Sequence, residues 1–215
     1  MKLRAAKLGQ DYATGFMGFC KTHATGDLVG QLSNTITFFE DAEEKCGFEK
    51  ALSEDTPDAP SHVFIVSSPT TIIHAYKGGV QEAPLSMFMD NPNVQVVFRE
   101  PSDLHIIDAH YIVNGAASII GHPYNYTGLI GRALAIVFPL HHWGWYMQQP
   151  LLTNLAYRAL GIPEPYYCSA AASHALKNCP KYEKAPLFER MHESKVMPST
   201  LYAEGPFKPL RFDKA

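Results

Sequence analysis

From Asp27 the apolar residues Leu28, Leu32, Ile36, Phe39 and Ala42 recur every three to four positions, and the acids within Glu40–Glu44 fall on the other arc. That spacing predicts an amphipathic helix with Asp27 as its N-cap and Gly47 as its stop. Ser53–Ser61 (SEDTPDAPS) is polar and carries prolines, and it reads as a linker and the one internal boundary. Past it the period changes. His62–Ser67 (HVFIVS) is a β-branched run of strand length, and Val94–Phe98 and Leu104–Val113 are the next strand candidates. Ser68-Pro69 offers an N-cap and a proline at the first helical position, and Gly78-Gly79 ends the piece, so a short helix is predicted over 69–77. Pro84–Met89 is long enough for one helical turn. Together these predict an α+β chain with a small mixed sheet over about 62–113, periodicity leaving the strand directions open. Asp11–Thr25, rich in glycine and aromatics, follows neither period and reads as irregular or loosely helical.

From Ala109 to Tyr157 the pattern fails in another way: Arg132 is the single full charge. Both tryptophans, Trp143 and Trp145, and four of the ten histidines fall there. Such a stretch has to be withdrawn from water by a core, a bilayer or partner subunits. A spanning helix needs about 20 predominantly apolar residues. The longest unbroken apolar run is Ala133–Leu140, and Pro123 and Pro139 interrupt any helix around it. The intermediate expectation is a helix around Gly128–Phe138 at a membrane or subunit interface. Arg132 would reach sideways, with Phe138, Trp143, Trp145 and Tyr146 at the boundary. The plainer alternative is a core helix followed by an aromatic-rich loop.

Pro150–Leu160, closed by Gly161, and Ser169–Asn178 are further helix candidates. After Cys179 prolines at 180, 186, 198, 206 and 209 punctuate a segment without sustained periodicity. It reads as an extended tail that cannot make a core of its own and is ordered only against another surface. The organisation expected is an N-terminal helical region (1–52), a main α/β body (62–179) and an extended C-terminal tail (180–215).

Composition narrows the function classes. Charged residues make up 18% of the 215, against roughly 25% in ordinary soluble domains, and the net charge is −3. There is no basic footprint for nucleic acid. The start, MKLRAAKLGQ, holds Lys2, Arg4 and Lys7 with no acid before Asp11. That is the bias of a mitochondrial targeting segment or a membrane-facing tip, though a short element with solvated lysines has the same composition. It contains no long apolar run of the secretory kind. Cys20, Cys46, Cys168 and Cys179 fit no metal spacing, and Cys168 and Cys179 enclose ten residues, one more than a twin CX9C pattern, so buried thiols are expected.

Candidate chemistry is sparse. Asp108 and His110, two apart on a predicted strand, would share a face. With His141 and His142 they could form a carboxylate–histidine metal site, or a base with its orienting partner. A satisfied buried His–Asp pair explains the same residues without chemistry. Gly128–Leu134, after a Gly/Pro loop, is similar over seven residues to the phosphate-holding turn of acyl-CoA N-acyltransferases. It lacks that turn's Gly-x-Gly/Ala spacing and preceding Gln or Arg, and Pro139 cuts the following helix short. Ser118 lacks GxSxG spacing, and neither GxxxxGK[ST] nor HExxH occurs, so no motif identifies a cofactor.

Two expectations follow. The first is a non-catalytic accessory subunit of a large membrane-bound assembly, such as a mitochondrial respiratory or ATP synthase complex. Its partners would be other protein subunits and the lipid bilayer of the mitochondrial inner membrane. The second is a cytoplasmic α/β enzyme. It would be metal-dependent through Asp108, His110, His141 and His142, or an acyl-CoA N-acyltransferase using the Gly128–Arg132 turn.

Overall fold

The computed structural model describes residues 7–22, 60, 62–76, 78–92, 94–125 and 166–209. The chain is α+β. Among the described residues the strands are β1 (Met17–Thr22), β2 (His62–Val66), β3 (Thr71–Tyr76), β4 (Gly79–Pro84) and β5 (Val94–Arg99). They form one antiparallel sheet in the order β4-β3-β2-β1-β5. Among the described residues the helices are α1 (Ser86–Met89), α2 (Ile106–Ser118), α3 (Cys168–Lys177), α4 (Pro186–Arg190) and α5 (Pro198–Glu204), with a 3₁₀ turn at Glu193–Lys195. The helix expected from Asp27 and nearly all of the Ser53–Ser61 linker lie outside the described residues.

β2, β5, α1 and α3 form where the hydrophobic pattern places them. Three other segments differ. Residues 71–76 are a strand and not a helix. The Ser68 hydroxyl does accept from backbone N–H groups, those of Thr70 (3.2 Å) and Thr71 (3.1 Å), but it closes a hairpin turn between β2 and β3 instead of starting a helix. The β-branched residues Thr71, Ile72 and Ile73 then favour the extended chain. Met17–Thr22, within the stretch read as irregular, is the second strand from the sheet edge.

The third difference bears on the candidate site. Where a strand is expected over Leu104–Val113, residues 106–118 form the helix α2. Asp108 in its first turn accepts a hydrogen bond from the His105 backbone N–H at 3.1 Å, holding a donor that helix starts otherwise leave unsatisfied. Ala109, Ile112 and Ala116 lie on its buried side, a helical and not a two-residue spacing.

Each sheet face has its own core. Met17, Phe19, Val63, Ile65, Ile73, Ala75 and Val80 point to the face covered by α2, α3 and the C-terminal segment. Helix α3 (CSAAASHALK) is small at seven of its ten residues, which lets its backbone settle between β2, β3 and α2. The approach is closest at Gly115 of α2, where a Cβ would stand 2.5 Å from Cβ of Asn178 and 3.2 Å from Cα of Ala175. On the opposite face Cys20, Phe64, Val66, Ile72, Leu85 and Phe88 form a second cluster. Cys20, Cys168 and Cys179 are buried thiols.

The proline-punctuated segment lies on the chain's own core. Pro186 and Pro198 sit in the first turns of α4 and α5, where a missing N–H costs nothing. Leu187, Val196, Leu201, Tyr202 and Phe207 are buried in the helix-covered core. Arg99 of β5 fastens the end. Its Nη1 donates to the Tyr202 carbonyl (2.9 Å) and its Nη2 to the Lys208 carbonyl (3.1 Å). The guanidinium lies over the Tyr202 and Phe207 rings at 4.9 and 5.2 Å.

Candidate functional site

Helix α2 separates the residues that a strand would have paired. Two positions along a helix differ by about 200° in direction, so Asp108 and His110 do not share a face. Asp108 turns toward the chain: besides the His105 N–H, it meets Lys181 Nζ at 3.4 Å and accepts from Cys179 Sγ at 3.7 Å. The His105 hydrogen bond, and then Lys181, hold its carboxyl below the usual range. It therefore anchors the helix start to the 179–182 turn. His110 is exposed on another side. His141, His142, Arg132, Phe138, Trp143, Trp145, Tyr146 and the Gly128–Arg132 turn all lie outside the described residues. Among the described residues, no group of three or more His, Cys, Asp or Glu side chains is placed to hold a metal ion.

The structure instead pairs two histidines that sequence reading did not connect. His62 opens β2 and His74 lies in β3, and the β2–β3 hairpin brings His62 Nε2 to 3.2 Å from His74 Nδ1. Only one of these nitrogens can donate, so the pair shares a single proton between them. The surroundings are aromatic: Phe88 stacks on His62, Tyr76 stacks on His74, and Gln81 Nε2 stands 3.5 Å from His74 Nε2. Burial is the main cause that lowers both, His62 to about 3 and His74 to about 4. Both imidazoles are neutral at physiological pH. Position 74 fell within a segment that reads as a helix, and no signal in the sequence sets the hairpin register.

A second polar group lies between α3 and the 3₁₀ turn. Glu193 approaches His174 Nδ1 and Lys177 Nζ, each at 3.6 Å. Burial alone would raise the Glu193 carboxyl, but the hydrogen bond and charge of His174, with Lys177, outweigh it and the net direction is down. The Tyr166 hydroxyl reaches the same His174 Nδ1 at 3.4 Å. Because one nitrogen faces both partners, Tyr166, His174 and Glu193 do not form a relay through the imidazole.

Tyr166 also takes part in a backbone bridge to residues 123–125. Asn125 N donates to the Tyr166 carbonyl (3.1 Å) and Tyr166 N to the Pro123 carbonyl (3.0 Å), a parallel bridge between Tyr124 and Tyr166. On the β4 side, Val80 N donates to the His122 carbonyl and Gly121 N to the Val80 carbonyl, both at 2.8 Å. Gly79 has φ +108°, and a Cβ there would collide with the His122 carbonyl. Residues 121–125 and Tyr166 are thus held together beside the edge strand β4. Among the described residues no helix is long and apolar enough to cross a membrane.

Comparisons with known protein families, with curated proteins and with solved structures return no match for this chain.

Proposed function

We propose that the protein is a non-catalytic accessory subunit of a large membrane-bound assembly, of the kind found in mitochondrial respiratory or ATP synthase complexes. The observation that carries this reading is the Tyr124–Tyr166 bridge. It ties together both ends of a segment in which Arg132 is the only full charge from 126 to 157. A folded body that holds such a segment by its two ends is suited to presenting it to a bilayer or to neighbouring subunits, where charge is costly. The basic N-terminus, with Lys2, Arg4 and Lys7, agrees with a mitochondrial address.

Fractionation of the native protein tests the proposal. Membranes are washed with carbonate, extracted in mild detergent and run on a native gel. The expected result is retention through the wash and migration in a large particle. Recovery as a free 23.9 kDa chain or a small oligomer overturns it.

A further inference from the structure

Tyr166 is held at both its backbone and its side chain. Its N–H donates to the Pro123 carbonyl and its own carbonyl accepts from the Asn125 N–H. Its hydroxyl lies 3.4 Å from Nδ1 of His174 on α3. That nitrogen faces a second partner of opposite demand, Glu193 Oε1, at 3.6 Å. A bare Nδ1 can only accept, and it suits the Tyr166 O–H. A protonated Nδ1 can only donate, and it suits the carboxylate. A hydrogen bond to a charged acceptor is roughly twice as strong as a neutral one, so a proton on Nδ1 is drawn to Glu193. The Tyr166 O–H then loses this acceptor.

The groups around the imidazole leave room for this exchange. Among the described residues they are Glu193 and the neighbouring His192 at the 3₁₀ turn, Lys177 one turn further along α3, and His122, whose ring meets the Tyr166 ring at 5.5 Å on the other side. Glu193 is the one anion of the group. Lys177 Nζ sits on its Oε2 at 3.6 Å, which leaves Oε1 to His174. Tyr166 is only 6% exposed, so water is a poor substitute for the acceptor its hydroxyl loses.

We propose that His174 is a proton-operated switch on the Tyr124–Tyr166 bridge. Neutral, it holds Tyr166 by the hydroxyl; protonated, it turns to Glu193 and the tie between Tyr166 and residues 123–125 loosens. The switch does not depend on the accessory-subunit reading.

Hydrogen exchange of the full-length protein tests this, read at the Asn125 and Tyr166 backbone N–H groups and corrected for the intrinsic chemical rate. Between about pH 8 and about pH 5.5, where imidazoles change charge, protection at both amides should fall about fivefold, the effect of losing one hydrogen bond. Tyr166→Phe removes the hydroxyl and His174→Gln removes the titration, and each should abolish the step. Glu193→Gln leaves no anion beside the ring and should shrink it. The amides of β2 and β3 report any acid response of the whole fold and should lose less protection than the bridge. Wild-type protection that does not change with pH overturns the proposal. So does a full wild-type step in any of the three variants, or an equal loss of protection in β2 and β3.

Discussion

The ring of Phe64 on β2 occupies the space that a Cβ on Gly18 of β1 would need. Gly18 is paired with Phe64 on one side and Phe98 on the other, and those two rings meet edge to face at 6.0 Å. The glycine is the gap that lets two large rings share one sheet face. Gly18→Ala should cost about 1–3 kcal/mol through overpacking. Adding Phe64→Leu should recover part of it. Urea midpoints of the single and double variants check this, and a neutral Gly18→Ala would contradict the packing described.

The His62–His74 pair predicts how stability responds to acid. Both folded-state values, about 3 and about 4, lie below the ordinary 6.5, so between them the unfolded chain binds more protons. The stability held with both rings neutral is fully present above about pH 6.5 and is lost as pH falls toward 4. The slope should reach about 1.4 kcal/mol per pH unit for each imidazole. His74→Gln keeps a hydrogen-bonding side chain but cannot titrate. The difference in urea midpoint between pH 7.5 and pH 5 should shrink in that variant, and an unchanged difference would assign the acid sensitivity to other groups.

Arg99 should be irreplaceable by lysine. Its two terminal nitrogens satisfy the carbonyls of Tyr202 and Lys208 in fixed geometry while its plane covers two rings. An ammonium reproduces neither the fork nor the stacking. Arg99→Lys should destabilise by about 2–4 kcal/mol. It should also expose the segment after α5 to limited proteolysis before the sheet unfolds. Cleavage at the wild-type rate would show that the latch contributes little.

Excising 126–165 tests what that segment contributes. Because Asn125 and Tyr166 are already hydrogen-bonded, a Gly/Ser linker of about six residues can join them. The shortened chain should retain cooperative unfolding and the His62–His74 acid response. On the accessory-subunit proposal it should also leave the membrane fraction. Continued membrane retention would move the attachment elsewhere in the chain.

What could be read from residue order follows a physical rule. β2 and β5 are strand-length β-branched runs bounded by turn signals, and α3 begins and ends close to where its composition places it. The strand at 71–76 and the helix at 106–118 exchange the roles expected of them. Both are short apolar runs that fit either period. The Ser68 hydroxyl can cap a helix or close a hairpin with the same hydrogen bonds. The prolines at 186 and 198 look like interruptions in sequence and act as helix starts in place, because α4 and α5 bury Leu187, Phe188, Leu201 and Tyr202 in the helix-covered core.

Sequence alone determined the class of the chain and the local character of several elements. It also isolated the one stretch that avoids charge, because composition and short-range periodicity are properties of neighbours along the backbone. Only the tertiary structure decided that Asp108 and His110 part company, that His62 meets His74, that Arg99 holds the last described residues, and that residues 125 and 166 adjoin. Each of these depends on strand register or helix phase across separated segments. Register and phase are set by which faces find a core to bury, and no window of sequence contains that partner.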